Sequence, residues 1–163
     1  MNKEHTLKAE LQYLVPSEQK PVYYASKGGK EAELTMDGNF EIYNVPIHNA
    51  RYSQGEESSL DKEGFSLLRH ESTVKNFYDE NEIGERYLPE AEALVAKMTG
   101  ASKVVAFDHT LRADSAGVRE SRKTREPSAV VHNDYTVRSG PQRVRDIMGE
   151  TEAKSLLQHR FTI

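Results

Sequence analysis

Ser128-Ala129-Val130-Val131-His132-Asn133-Asp134-Tyr135 reads as a short β-strand with an imidazole and a carboxylate two residues apart. Residues i and i+2 of a strand project from the same face. On that reading His132 and Asp134 stand side by side. One imidazole and one carboxylate on one face are two of the three ligands of a 2-His-1-carboxylate facial triad. Such a triad holds Fe(II) from one side and leaves the opposite positions open. The plain alternative is a surface histidine beside a solvated aspartate. With six His in the chain, such a pair arises by chance often enough that the pattern alone decides nothing.

Upstream of this strand, residues 112–127 are polar and charge-dense. They carry Arg112, Arg119, Arg122, Lys123 and Arg125 against Asp114, Glu120 and Glu126. The composition predicts a mobile charged loop, its positive charge either solvated or facing an anionic substrate. Lys103 to Phe107 is β-rich and runs into Asp108-His109-Thr110-Leu111-Arg112, where His109 meets either a pocket or an ordinary polar partner. Tyr87, Ala91, Leu94, Val95 and Met98 recur at helical spacing and predict a helix over 85–98 that packs on a sheet. Pro89 suits its first turn and Gly100 its C-terminal cap. The carboxylates between Glu56 and Glu92 read mostly as a solvated face.

Nearer the N-terminus, Leu7, Ala9, Leu11, Tyr13 and Val15 alternate with polar residues and predict a strand ended by Pro16. Pro21 to Tyr24 suggests a second short strand, and Phe40 to Ile47 another, which Pro46 places at an edge or a bulge. Lys27-Gly28-Gly29-Lys30 is a turn without the spacing of a phosphate loop. Leu60 to Leu68 reads as a turn followed by a short strand. Downstream of Tyr135, Ser139-Gly140-Pro141 reads as a turn, with Pro141 opening a helix over 142–149. Thr151 is placed to cap a last short helix, and 159–163 resembles the start of a strand. His5, His48, His70 and His159 have no partner at ligand spacing.

Composition narrows the function classes. The 163 residues suit one domain, and the formal charge is −4, from 22 basic and 26 acidic residues. That balance argues against a nucleic-acid binder. Cysteine is absent, which excludes disulfides, zinc knuckles, iron–sulfur clusters and thiol nucleophiles. No apolar run approaches the roughly 20 residues of a membrane span, and the first residues show no signal-peptide core. A cytoplasmic protein is the expectation. The hydrophobic fraction is 36%, mean hydropathy is −0.75, and tryptophan is absent. Core material is scarce for a self-sufficient domain.

Several segments in succession carry a family resemblance. They are Leu11-Gln12-Tyr13-Leu14, Val45-Pro46-Ile47-His48-Asn49-Ala50-Arg51, Ser59-Leu60-Asp61-Lys62-Glu63-Gly64-Phe65 and Tyr87-Leu88-Pro89-Glu90 with Thr99-Gly100-Ala101. Phe107-Asp108-His109-Thr110-Leu111-Arg112 comes next, then Val130-Val131-His132-Asn133-Asp134-Tyr135-Thr136 with Arg143-Val144-Arg145. This order resembles the fungal hydroxylase/desaturase family of AsaB-like proteins and gibberellin desaturases, which includes the CmcJ-like methoxylation proteins. The resemblance implies an α+β, β-rich chain forming a partial double-stranded β-helix (jelly-roll) with flanking helices. It implies Fe(II) and 2-oxoglutarate as cofactors, with His132 and Asp134 as proximal iron ligands. The implied activity is hydroxylation or desaturation of an aliphatic C–H in a small-molecule secondary metabolite, with neither nucleic acid nor membrane as partner.

The departure from that family is at the far end. Members continue past the equivalent of Phe161-Thr162-Ile163 with further strands, a distal histidine and a basic residue for 2-oxoglutarate. Here 29 residues lie beyond Asp134, and His159 is the only later histidine, on a segment entering a strand rather than returning to the site. A jelly-roll needs about eight strands, and five or six candidates are present. Residues 1–163 are thus expected to be a single N-terminal portion of an oxygenase-like domain, inactive alone, completed by a homo-oligomer or a complementing polypeptide. The alternative is a non-catalytic binding or interaction module derived from the family, using an exposed sheet edge. An unrelated β-rich small-molecule binder with His132 on its surface is a third reading.

Overall fold

The computed structural model describes residues 6–24, 35–36, 38–52 and 58–163. His5 and the Lys27–Lys30 turn lie outside them. The long strands are β1 (Thr6–Leu14) and β4 (Phe40–His48), which pair antiparallel without a break from Thr6↔His48 to Leu14↔Phe40. The register sets Leu7 opposite Ile47, Ala9 opposite Val45 and Leu11 opposite Tyr43, so the alternating apolar residues of β1 meet apolar partners on one face. Tyr13 and Tyr43 add an edge-to-face contact with ring centroids 5.4 Å apart. Between these strands lie β2 (Tyr23–Tyr24) and β3 (Thr35–Met36), an antiparallel pair. The larger sheet has the order β4-β1-β5, where β5 is Val130–Val131. Pro46 lies opposite Lys8 on β4, at the sheet's edge, where a residue without an N–H is tolerated.

The predicted helix is one helical run in three parts. It comprises α1 (Glu80–Glu82), a π-turn over Ile83–Tyr87 and α2 (Leu88–Thr99). Asp79 starts it by accepting the amides of Asn81 and Glu82 at 2.9 and 3.4 Å. The π-turn answers Pro89, whose ring crowds the carbonyl four residues back and which has no N–H to donate there. The Leu88 amide bonds the Ile83 carbonyl instead. Gly100 closes the run in a left-handed conformation (φ 69°), its amide on the Ala96 carbonyl. The wide turn also corrects the expected packing stripe. It aligns Ile83 with Leu88 rather than with Tyr87, so Ile83 is 2% exposed while Tyr87 is 37% exposed. Val95 and Met98 are exposed as well, and only Ala91 and Leu94 of the stripe are half-buried.

Further expectations are corrected. Residues 65–68 and 103–107 form no strand, because β-rich composition finds no ladder partner there. The 112–127 stretch contains α3 (Ala116–Arg122), with Ser115 as its N-cap. That stretch is closed on itself by a parallel bridge between Arg112 and Arg125. Arg119 donates to the carbonyls of Ala113 and Asp114, Arg112 to that of Glu126, and Arg122 lies over the Tyr78 ring. Three of its five positive side chains thus hold the segment's own backbone or one aromatic ring. Past β5, α4 (Ser139–Met148) starts two residues before Pro141, and α5 (Glu150–Leu156) takes Gly149 rather than Thr151 as its N-cap. The φ of 76° at Gly149 turns the chain between the two helices, a conformation that favours glycine. Residues 160–163 form no strand.

The chain groups into two compact units, Met1–Val130 and Val131–Ile163. The first holds β1 to β4 with α1 to α3, and the second holds α4 and α5. Among the described residues the strands make one three-stranded and one two-stranded sheet. The architecture is mixed α and β. No helix among the described residues is long and apolar enough to cross a membrane.

Candidate metal site

The second unit carries the histidine–aspartate pair. β5 ends at Val131, so His132 and Asp134 stand just past the strand and not on it. Their side chains nevertheless meet, with His132 Nε2 3.4 Å from Asp134 Oδ1. A turn fixes the segment directly behind them. The Thr136 hydroxyl accepts the amides of Arg138 and Ser139 at 3.2 and 3.1 Å, and Ser139 Oγ accepts the Thr136 amide at 2.9 Å. This reciprocal exchange works as a capping box does, with serine in the place of glutamate. The Gly140 amide then bonds the Thr136 carbonyl at 3.0 Å and α4 runs on. Thr136-x-x-Ser139 is the signal that could have moved the helix start forward in the sequence.

His132, Asn133, Asp134, Tyr135 and Ile163 line a cavity of about 330 Å³. The donor set fits a divalent metal. Two ligand atoms bound at roughly 2.1 Å in neighbouring positions lie about 3.0–3.4 Å apart, and this pair is at 3.4 Å. A neutral imidazole and a carboxylate also suit Fe(II). The side chains are 48% and 79% exposed, so charge and metal are reachable from solvent. Among the described residues, no third His, Cys, Asp or Glu joins them in a metal-holding group.

The side chains of His48, His70 and His109 have local partners. In the first unit, His109 Nε2 lies 3.2 Å from Glu80 Oε2, a contact that ties it to α1. His48 Nδ1 is 2.9 Å from Thr6 Oγ1 across the β1–β4 pair. In the second unit, the His159 amide closes the turn after α5 on the Leu156 carbonyl.

Three of the helical carboxylates do more than face solvent. Glu82 accepts the Lys75 amide at 2.7 Å, Glu92 the Ala106 amide at 2.7 Å, and Glu90 the Thr73 amide at 2.9 Å. Segments without a ladder thus place their amides on helix side chains. Glu90 also takes the hydroxyls of Ser72 and Thr73, with His70 3.8 Å away. The Ser72 hydroxyl first, then the Thr73 hydroxyl and amide, hold its carboxyl down at about 2, with a smaller contribution from His70. A depressed carboxylate contributes stability that is full above its ordinary value of 4.5 and fades as pH falls toward 2. Hydrogen exchange at Thr73 is expected to stay protected down to that range and to open below it. Glu90→Ala is expected to cost roughly tenfold in that protection at neutral pH. Equal protection in both proteins would dismiss the clamp.

Against this geometry, residues 11–163 match the family described as Oxidoreductase/YMDC permease-like domain. The chain belongs to that family. Among its relatives, the uncharacterized protein in the dcmA 3′ region of Methylophilus leisingeri is 30% identical over 155 residues, covering 85% of this chain and 69% of the relative. The alpha-ketoglutarate-dependent dioxygenase phiK of Fungal sp. (strain ATCC 74256) is 30% identical over 129 residues, 77% of this chain and 45% of phiK. The hydroxylase/desaturase efuI of Hormonema carpetanum is 31% identical over 132 residues, 73% of this chain and 43% of efuI. A solved structure of the iron and alpha-ketoglutarate-dependent endoperoxidase NvfI aligns with a TM-score of 0.62 at 20% identity, over 97% of this chain and 57% of NvfI. The resemblance read from the motifs is borne out, and the fold is similar to part of NvfI. The chain spans under half the length of phiK and efuI.

Proposed function

We propose that this chain carries the first two iron ligands, His132 and Asp134, of a non-haem Fe(II)/2-oxoglutarate-dependent hydroxylase or desaturase of small secondary metabolites. The observation that carries the reading is the 3.4 Å approach of imidazole and carboxylate in an open depression, in a chain of this family. Fe(II) and 2-oxoglutarate together supply activation of O₂ for removing hydrogen from an aliphatic carbon. The residues of the chain hold and orient. His132 offers its Nε2, Asp134 offsets metal charge, and Tyr135 and Ile163 line the same depression. The third ligand comes from outside the described residues. So do the strands that complete a jelly-roll, supplied by further sequence, a second copy or a complementing polypeptide. On this reading residues 1–163 alone bind iron and do not turn over.

The test is an anaerobic Fe(II) titration of the purified chain with and without 2-oxoglutarate, followed by O₂ uptake. Saturable Fe(II) binding without 2-oxoglutarate-coupled O₂ uptake is the expected result. Coupled uptake by the unaided chain would overturn its incompleteness. A folded chain indifferent to Fe(II) would overturn the ligand pair and favour the interaction module.

A further inference from the structure

Gly140 is a glycine without a backbone reason. It sits in the first turn of α4, where glycine is a poorer helix former than any residue but proline. The described glycines with positive φ are Gly64, Gly100 and Gly149, and Gly140 is not among them. Its contribution is the missing side chain. Gly140 is buried, and a Cβ built on it would lie 3.8 Å from Phe161 Cε2 and 4.0 Å from Ile163 Cδ1. A methyl would just touch these atoms, and anything longer would displace them. The last residues of the chain therefore rest on the helix at this point, and Ile163 lines the cavity with His132, Asn133, Asp134 and Tyr135.

We propose that Gly140 and Phe161 are positioning residues for the candidate metal site. Together they seat the 161–163 segment on α4, so that Ile163 forms the aliphatic wall beside His132 and Asp134. The inference rests on the ligand-pair reading for its consequence, though not for the packing. Both ends of the cavity then hang from one helix turn. The Thr136–Ser139 exchange fixes the 132–135 side, and the Gly140 slot fixes the 161–163 side. An aliphatic side chain next to an imidazole and a carboxylate suits the hydrocarbon part of a substrate.

The experiment compares Gly140→Ala, Gly140→Leu and Phe161→Ala in the full 163-residue chain. Metal-free amide resonances and Co(II) affinity are measured for each. Gly140→Leu is expected to shift the Asn133–Tyr135 and Thr162–Ile163 resonances while Ala153 keeps its exchange protection. Co(II) affinity is expected to fall on the order of tenfold, as when the support of a ligand is lost. Gly140→Ala is expected to match the wild type. Phe161→Ala unseats the segment without touching α4, and it decides the matter should Gly140→Leu unfold the helix. The proposal is overturned if Phe161→Ala leaves the 133–135 resonances and the Co(II) affinity unchanged, or if Gly140→Ala does the same damage as Gly140→Leu. Should the wild-type chain bind no metal, the ligand-pair reading fails, and the metal-free resonances still judge the packing.

Discussion

His132→Ala is expected to remove at least about a hundredfold of the chain's Fe(II) affinity and to leave its fold intact. The imidazole is one of the two donors present in the described site, and Asp134 by itself is a solvated carboxylate with weak affinity for iron. Loss of a mere supporting partner costs about 10–100-fold, so loss of a donor atom costs more. The fold should not notice. The His132 side chain is 48% exposed, and substitutions at such positions usually change stability by less than about 0.5 kcal/mol. Asp134→Asn keeps the shape and removes the charge, and its affinity should fall comparably. Isothermal titration with Fe(II) under nitrogen, with a thermal melt of each variant, separates the two effects. Equal affinity in His132→Ala and wild type, with equal melting, would reduce the pair to a surface ion pair.

Ile83→Ala is expected to cost about 2–5 kcal/mol, the usual range for truncating a buried aliphatic residue. Ile83 is the largest fully buried side chain among the described residues, and among those of the first unit Val74 and Val130 are the other buried hydrophobic residues. A core so small has little redundancy. The cavity left by Ile83 would open in the first unit at the wide turn. A urea titration should show the midpoint falling at unchanged slope. An unchanged midpoint would mean that Ile83 is not the anchor of the helical run.

Much of the fold was legible where one local rule acted alone. The alternation of Leu7, Ala9, Leu11 and Tyr13 marked β1, Pro46 marked an edge, and Gly100 marked the end of α2. Legibility failed where a second requirement intervened. Pro89 widened the turn before it and rotated Ile83 away from the apparent apolar stripe. Lys103 to Phe107 had strand composition and no neighbouring strand to use it. α3 has no apolar period to betray it, being anchored by arginine-to-carbonyl bonds rather than by a buried face. In the site, the residue types and their spacing pointed to His132 and Asp134, but strand geometry is not the reason the two side chains meet. The strand stops at Val131, and the chain beyond it is shaped by the Thr136 turn. The amide-accepting roles of Glu82, Glu90 and Glu92 depend on segments distant in sequence and leave no trace in a local pattern.

Pro46 makes the larger sheet directional in how it can grow. β4 is one border of that sheet, and an approaching strand would find no hydrogen-bond donor at Pro46. Lateral extension there would begin with a gap in the ladder. The border at β5, Val130–Val131, has no proline. Any strands that enlarge this sheet, from whatever polypeptide they come, are steered to the border from which the chain runs directly into His132.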